Sequence, residues 1–334
     1  MQAPIIDSLY FEDIMHQIRA LVADDFQAIN DKIIEKLHSR VDMVENIGQY
    51  ITEAGGKRLR PLLALLAANA CGYKGDKHIE LAVIIEFIHT ATLLHDDVVD
   101  ISSLRRGRPT ANANWGNAPS VLVGDFIYSR SFQMLVALGN MEIMALLSET
   151  TNQIAEGEVL QLTKAGDAKC TREEYLQVIR DKTAILFAAA LKGAAIISDA
   201  DKSIQETLFN YGIDLGIAFQ LADDLLDYEG DASLMGKNVG DDLAEGKPTL
   251  PLIYSIEEAK NGEADIIIEA IEQKSAQNID NILALVQSNG ALEHTRAFAQ
   301  SYVDSAQKHL QALEDSPYKD ALMRLANLAL HRNA

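Results

Sequence analysis

The sequence predicts an all-α protein, a single-domain bundle of about a dozen helices. Three observations carry that expectation. Apolar residues recur at helical spacing along almost the whole 334-residue chain, alternating strand-like stretches are scarce, and Ala and Leu fill the interiors of the periodic runs. Taken in order, Ile14, Ile18 and Leu21 mark an early helix, Leu62, Leu65 and Leu66 another, and Ile179, Ile185 and Leu186 one further on. Breaks fall near Gly55-Gly56, Gly72, Arg108-Pro109, Gly139, Gly166, Gly230, Pro248 and Gly290, because glycine supplies the left-handed backbone of helix ends and proline cannot continue a helix. Segments 79–95, 184–197 and 211–226 are apolar nearly all round, so they belong at the centre of a bundle. No Pro/Gly/Ser-rich linker or low-complexity stretch divides the chain, and residues 1–334 read as one domain.

Composition narrows the function. With 48% apolar and 23% charged residues the chain can bury a large core, and its formal net charge of −20 disfavours nucleic acid as a partner. The two cysteines, Cys71 and Cys170, form no disulfide framework and have no zinc-ligand spacing near them. The opening MQAPIIDSLYFEDIMHQ lacks the basic-then-apolar layout of a secretory signal. The segment Ala184–Ile197 carries Lys192 in its middle, so it falls short of the ~18 uncharged apolar residues of a membrane span. A soluble, cytoplasmic protein is expected.

Two short stretches then stand out. LLHDDVVD places Asp96, Asp97 and Asp100 at the end of an apolar run, and LADDLLD repeats the arrangement with Asp223, Asp224 and Asp227. On a helix, residues i and i+4 share a face, so Asp96 stacks with Asp100 and Asp223 with Asp227, while Asp97 and Asp224 point aside. Carboxylates stacked at a helix C-terminus face a negative dipole and one another. Such an arrangement calls for cations, and hard Mg²⁺ takes one or two carboxylates together with waters and phosphate oxygens. A single such motif is more often a solvated helix end; two copies, each behind an apolar turn, point to a diphosphate held through a metal cluster.

In so acidic a chain, clustered basic residues matter. GGKRLRP brings Lys57, Arg58 and Arg60 behind a glycine pair, LRRGR follows the first aspartate motif with Arg105, Arg106 and Arg108, and Lys182-Thr183, Lys237 and Lys247 come later. Lys and Arg grip phosphate, Arg bidentately. Any one of them alone reads as a surface charge, and Arg58 and Arg108 keep that reading. Two clusters flanking the carboxylates indicate two diphosphate sites. His89 lies seven residues before Asp96, about two turns below on a similar face; an isolated histidine there would be core, but beside a phosphate pocket its ring N–H can donate to a phosphate oxygen. His95 reads as structural.

The set GGKRLRP, EFIHTATLLHDDVVD, LRRGRPTANANWGN, VLVGDFIYSRSF, IAEGEVLQL, DKTAILF, GIAFQLADDLLDY and EGKPTLPL, colinear from about residue 50 to 255, resembles the trans-type polyprenyl diphosphate synthases, with most likeness to their bacterial octaprenyl branch. The resemblance implies an isoprenoid-synthase fold, helices around a deep central cavity, in a homodimer. It implies a 1'-4 condensation of isopentenyl diphosphate onto an allylic diphosphate such as farnesyl diphosphate for a quinone side chain, with Mg²⁺ as cofactor and transient membrane contact for product release. Carried over residue by residue, Asp96, Asp100 and Asp223 become Mg²⁺ ligands, and Asp227 acts from a second shell or through water. Lys57, Arg60, His89 and Arg106 match the isopentenyl diphosphate site. Arg105 matches an allylic diphosphate contact, and Lys182, Thr183, Gln220, Lys237 and Lys247 line the allylic side, Lys182 close to the reaction itself. A class I terpene cyclase would need no second diphosphate site, leaving GGKRLRP and His89 without purpose; a non-catalytic subunit of a heteromeric synthase tends to lose an aspartate motif, and both are intact here.

Product length is read from the helix ending at Asp96. Short-chain members of the family close the cavity with aromatics one turn deeper, where this chain has Thr92 and Ala91. A long product, C40, is therefore expected. Leu147, 14 residues before the site-facing Gln161 and so near four turns down the same face, is the expected floor, with Leu135 as a second candidate; Leu147 reads equally well as ordinary core.

Overall fold

Glycine marks both ends of one long helix. Helix α7 (Asn117–Leu138) begins after Gly116 at φ 89° and ends at Gly139 at φ 71°, backbone that other residues adopt only under strain. The computed structural model describes residues 8–229, 239–260 and 262–330, and the all-α expectation holds across them. The one sheet among the described residues is a hairpin of β1 (Leu104–Arg105) and β2 (Arg108–Pro109), with Arg105 opposite Arg108. Its loop residues Arg106 and Gly107 sit at φ 53° and 71°, the pair of positive φ values that a type I′ turn requires. Two residues per strand are too few to show an alternating pattern, so the periodicity did not reveal it.

The chain falls into two compact units, each discontinuous in sequence: one of Met1–Thr151, Leu186–Gly212 and His309–Leu325, the other of Asn152–Ile185, Ile213–Lys308 and Ala326–Ala334. The boundaries at 151/152, 185/186 and 212/213 fall within helices α8 (Met141–Lys164), α10 (Ile185–Ile197) and α11 (Lys202–Glu229) rather than in linkers.

In the first unit α5 (Lys77–Val99) is the central element. It packs on α4 (Leu59–Ala70), on α7 and on α2 (Ala23–Leu37). Leu62, Leu65, Leu81, Ile84, Ile85, Phe87 and Ile127 have no exposed surface, and each such side chain contributes about 1.5–3 kcal/mol on burial. The Tyr211 hydroxyl, buried with them, donates to the Leu322 carbonyl at 2.8 Å. Helices α5 and α7 are long and apolar enough to cross a membrane by length and composition alone, although each carries charged residues. A core helix passes the same test, and α5 is such a helix, with 61% of its most apolar window buried; α7 has only 39% buried.

The second unit is built on Leu225, Tyr228, Leu243, Leu252, Ile267, Ile271, Ile282 and Val286. Helix α9 (Arg172–Ile179) opens with a capping box, Thr171 accepting from the Glu174 amide and Glu174 from that of Thr171. It runs into one turn of π-helix, Arg180–Ala184, a feature found mostly at functional sites. Close approach is required here: a Cβ at Gly157 would lie 2.8 Å from the Lys182 nitrogen, and one at Gly216 2.5 Å from the Ala184 Cα. The apolar segment 211–226 is the later part of α11, which starts at Lys202 because its first turns are amphipathic rather than absent.

Candidate functional site

In the first unit the site grows from the C-terminus of α5. Ser102 N–H reaches the Asp97 carbonyl at 2.9 Å and Ile101 N–H the Val98 carbonyl at 3.4 Å, the double closure of a Schellman motif. The left-handed position is held by Ile101, at φ 54° and 86% exposed, where glycine is the ordinary occupant. A β-branched residue there is strained by ~1–3 kcal/mol. Asp96 and Asp100 stack on one half-buried face of this helix end. Asp97 turns inward instead: it has no exposed surface, and its Oδ1 accepts both Nε and Nη2 of Arg105, at 2.9 and 2.7 Å.

The basic cluster converges on the same helix. Arg60 Nη1 donates to His89 Nε2 at 3.2 Å, and its guanidinium lies over the Phe187 ring at 4.3 Å. Because arginine only donates, His89 carries its proton on Nδ1. Burial, then the charges of Arg60, Arg106 and Arg105, hold the imidazole well below the usual histidine range, so it is neutral at pH 7 and meets an anion as a hydrogen-bond donor. Lys57 is held by its backbone, which accepts from Arg19 at 2.9 Å, and by its ammonium, 4.2 Å from the Phe11 ring centre. Arg106 donates to the Gly55 carbonyl, and its guanidinium occupies the place a Cβ of Gly56 would need, 2.5 Å away. The structure thus gathers Arg60, His89 and Arg106 around α5, and adds Glu86, one turn before His89. Burial pushes the Glu86 carboxyl up while Arg58, Arg60 and Arg106 pull it down. Glu86 was missed in the sequence, although its i, i+3 spacing to His89 was the available signal. Arg58 is more than a surface charge: it caps α4 at φ 42° and donates to Asn30.

In the second unit the π-turn sets Lys182 and Thr183 apart. Lys182 Nζ donates to Glu158 Oε2 at 2.7 Å and Gln161 Oε1 at 2.6 Å, while Thr183 Oγ1 donates to Gln220 Oε1 at 3.2 Å. Asp223 is half-buried and Asp227 is 5% exposed, its carbonyl taking the Gly240 amide at 3.2 Å. Asp224 again turns inward, accepting from the Tyr175 hydroxyl and, at 3.0 Å, from Gln220 Nε2. Burial, then the charge of Asp242, push its carboxyl up to about 7. Lys247 pairs with Glu245, and Lys237 lies outside the described residues. Glu158 and Tyr175 were not singled out in the sequence; nothing in their local pattern names their partners.

In each motif the middle carboxylate turns inward, while the first and last share a helix face one turn apart. The donors are oxygen only, and among the described residues no three His, Cys, Asp or Glu side chains converge into a cage. That set fits a hard ion taking one or two carboxylates and completing its shell with water and phosphate oxygens. Of the chain-length candidates, Thr92 is half-buried with its hydroxyl on the His89 carbonyl at 2.8 Å, and Ala91, Leu135 and Leu147 are at most 1% exposed.

The family model described as "Polyprenyl synthetase" matches residues 41–287. The chain is 48% identical to the octaprenyl diphosphate synthase of Escherichia coli over 320 residues, covering 96% of this chain and 99% of that protein. Among solved structures it resembles a decaprenyl diphosphate synthase from Rhodobacter capsulatus, at TM-score 0.91 and 45% identity over 96% of this chain and 99% of that one. It also resembles a polyprenyl synthase from Caulobacter crescentus, complexed with calcium and isoprenyl diphosphate, at TM-score 0.92 and 41% identity over 96% and 98%.

Proposed function

Since the chain belongs to the polyprenyl synthetase family, we propose that it is a long-chain trans-polyprenyl diphosphate synthase, making octaprenyl (C40) diphosphate for a quinone side chain. It acts as a single catalytic domain over residues 1–334, cytoplasmic and Mg²⁺-dependent, on isopentenyl diphosphate and an allylic diphosphate such as farnesyl diphosphate. The observation that carries the reading is the pair of aspartate motifs, each with two carboxylates at i, i+4 on one helix face and its middle carboxylate turned inward.

Asp96, Asp100, Asp223 and, from a second shell, Asp227 would hold Mg²⁺, which when bound would supply positive charge toward the departing allylic diphosphate. Lys182, Thr183, Gln220, Arg105, Lys237 and Lys247 bind and orient that diphosphate. Lys57, Arg60, Arg106 and the neutral His89 hold isopentenyl diphosphate with its double bond toward the allylic carbon. The allylic C–O bond breaks, the double bond attacks the resulting cation, and the proton lost in forming the trans double bond goes to the released diphosphate. Incubation with Mg²⁺, labelled isopentenyl diphosphate and farnesyl diphosphate, then chromatography of the dephosphorylated products, tests the reading: C40 is expected, and C15 or C20 overturns it.

The two diphosphate sites separate in kinetics. Lys57→Ala and His89→Ala raise KM for isopentenyl diphosphate by about tenfold or more, a loss on the scale of ~1.5–3 kcal/mol for a hydrogen bond to a charged group, and leave the allylic KM near its original value. A steady-state matrix with the opposite pairing would overturn the assignment.

The proposed assembly is a homodimer through α7. Leu122 and Val136, four turns apart on one face, are 66% and 67% exposed, two apolar side chains that a second copy of the chain would cover. Sedimentation of a Leu122→Glu/Val136→Glu variant should give a monomer; an unchanged mass rejects the seam.

A further inference from the structure

Arg105 and Arg106 are neighbours in sequence, yet their side chains diverge. Arg105, in β1, gives two of its five N–H groups to one oxygen of Asp97. Its side chain remains 27% exposed, so the guanidinium keeps an open edge. Arg106, in the type I′ turn, swings to the Gly55 carbonyl and fills the space beside Gly56. Asp97 is anchored from several sides: it has no exposed surface, Asn112 Nδ2 donates to its carbonyl at 3.1 Å and to that of Ser102 at 3.2 Å, and Thr110 Oγ1 donates to Ser102 at 2.7 Å. Its second oxygen, Oδ2, is buried without a hydrogen-bond partner. The carboxylate is thus enclosed and compensated by one guanidinium.

We propose that Asp97 is a positioning residue, which fixes Arg105 toward the allylic diphosphate while Arg106 is left to the isopentenyl diphosphate side. It acts through Arg105 and touches neither metal nor substrate. The arrangement in the second motif is parallel, since Asp224 there is spent on Tyr175 and Gln220. The proposal rests on the prenyltransferase reading above and adds to it the reason for the middle aspartate.

The test combines kinetics with a direct view of the contact. In Asp97→Asn the KM for the allylic diphosphate rises about tenfold, while that for isopentenyl diphosphate stays within about twofold, each tenfold corresponding to ~1.4 kcal/mol. The double variant Asp97→Asn/Arg105→Ala matches Arg105→Ala alone, because both changes remove one interaction. Multiplicative effects, or a fall in kcat with both KM values unchanged, overturn the proposal. The Arg105 Nε–H resonance, read by NMR, is slowly exchanging in the unmodified protein and stays so when Mg²⁺ and inorganic diphosphate are added. Its loss on that addition would mean that Asp97 leaves Arg105 for the metal, which also overturns the proposal. This last readout needs no variant to fold and no turnover. A protein that makes no polyprenyl product but retains the protected resonance therefore fails the functional reading and not the positioning one.

Discussion

Asp96→Ala and Asp223→Ala should each lower turnover by about 10³-fold, while leaving the protein as stable as before when metal is chelated. The size follows from the role: a metal ion contributes several kcal/mol toward a departing charged group, and ~4 kcal/mol is three decades in rate. The neutrality toward stability follows from position. Asp96 and Asp100 stand one turn apart at the C-terminus of α5, where two like charges meet the negative end of the dipole, so without metal the loss of one relieves repulsion. The contrast is Asp97, whose removal takes two charge-assisted hydrogen bonds from Arg105 and should cost about 1.5–3 kcal/mol. Single-turnover rates with excess Mg²⁺, set beside thermal unfolding in a chelator, separate the two classes of aspartate. Near-normal turnover in Asp96→Ala would remove the ionisation role.

The aspartate motifs, the basic clusters and the buried run at 79–95 were legible because each depends on local spacing: i, i+4 carboxylates, a glycine pair before cations, an apolar segment without a polar face. What the sequence hid depends on partners far along the chain. Nothing near Asp97 says that it will turn from its neighbours to Arg105, eight residues on and across a strained Ile101. Lys182 was visible as a cation, but its partners Glu158 and Gln161 lie on another helix, brought close because Gly157 leaves no Cβ to obstruct the π-turn. The π-turn itself has no composition signal. Short elements such as α6 (Ala111–Trp115) carry no such signal either, since they are stabilised by a cap at Thr110 and by packing rather than by an amphipathic repeat.

An aromatic side chain placed one turn below Asp96 should cut the product from C40 to C15–C20, the largest change in outcome expected of a single substitution. In the proposed path the tail of the growing chain leaves the C-terminal end of α5 along its inner face. Thr92 lies four residues before Asp96 and shares its face, half-buried, and Ala91 is five residues before it, about 7.5 Å along the axis at 1.5 Å per residue. Both are small, so the tail passes; Phe or Tyr at either fills its path. The two positions differ in a way that sharpens the test. Ala91 is 1% exposed, and if its neighbours were closed core an aromatic there would be overpacked, costing about 1–3 kcal/mol. Ala91→Phe with a short product and an unchanged Tm therefore places the tail beside Ala91, whereas a lowered Tm with C40 retained returns that position to the core and leaves Thr92→Phe to carry the shortening. Leu147 and Leu135, the floor candidates in the first unit, are at most 1% exposed. Leu147→Ala should lengthen the product beyond C40 and lower stability by about 2–5 kcal/mol, the usual cost of such a cavity. C40 from both aromatic variants would defeat the path along α5, while an unchanged length in Leu147→Ala would defeat only the floor and shift it to Leu135.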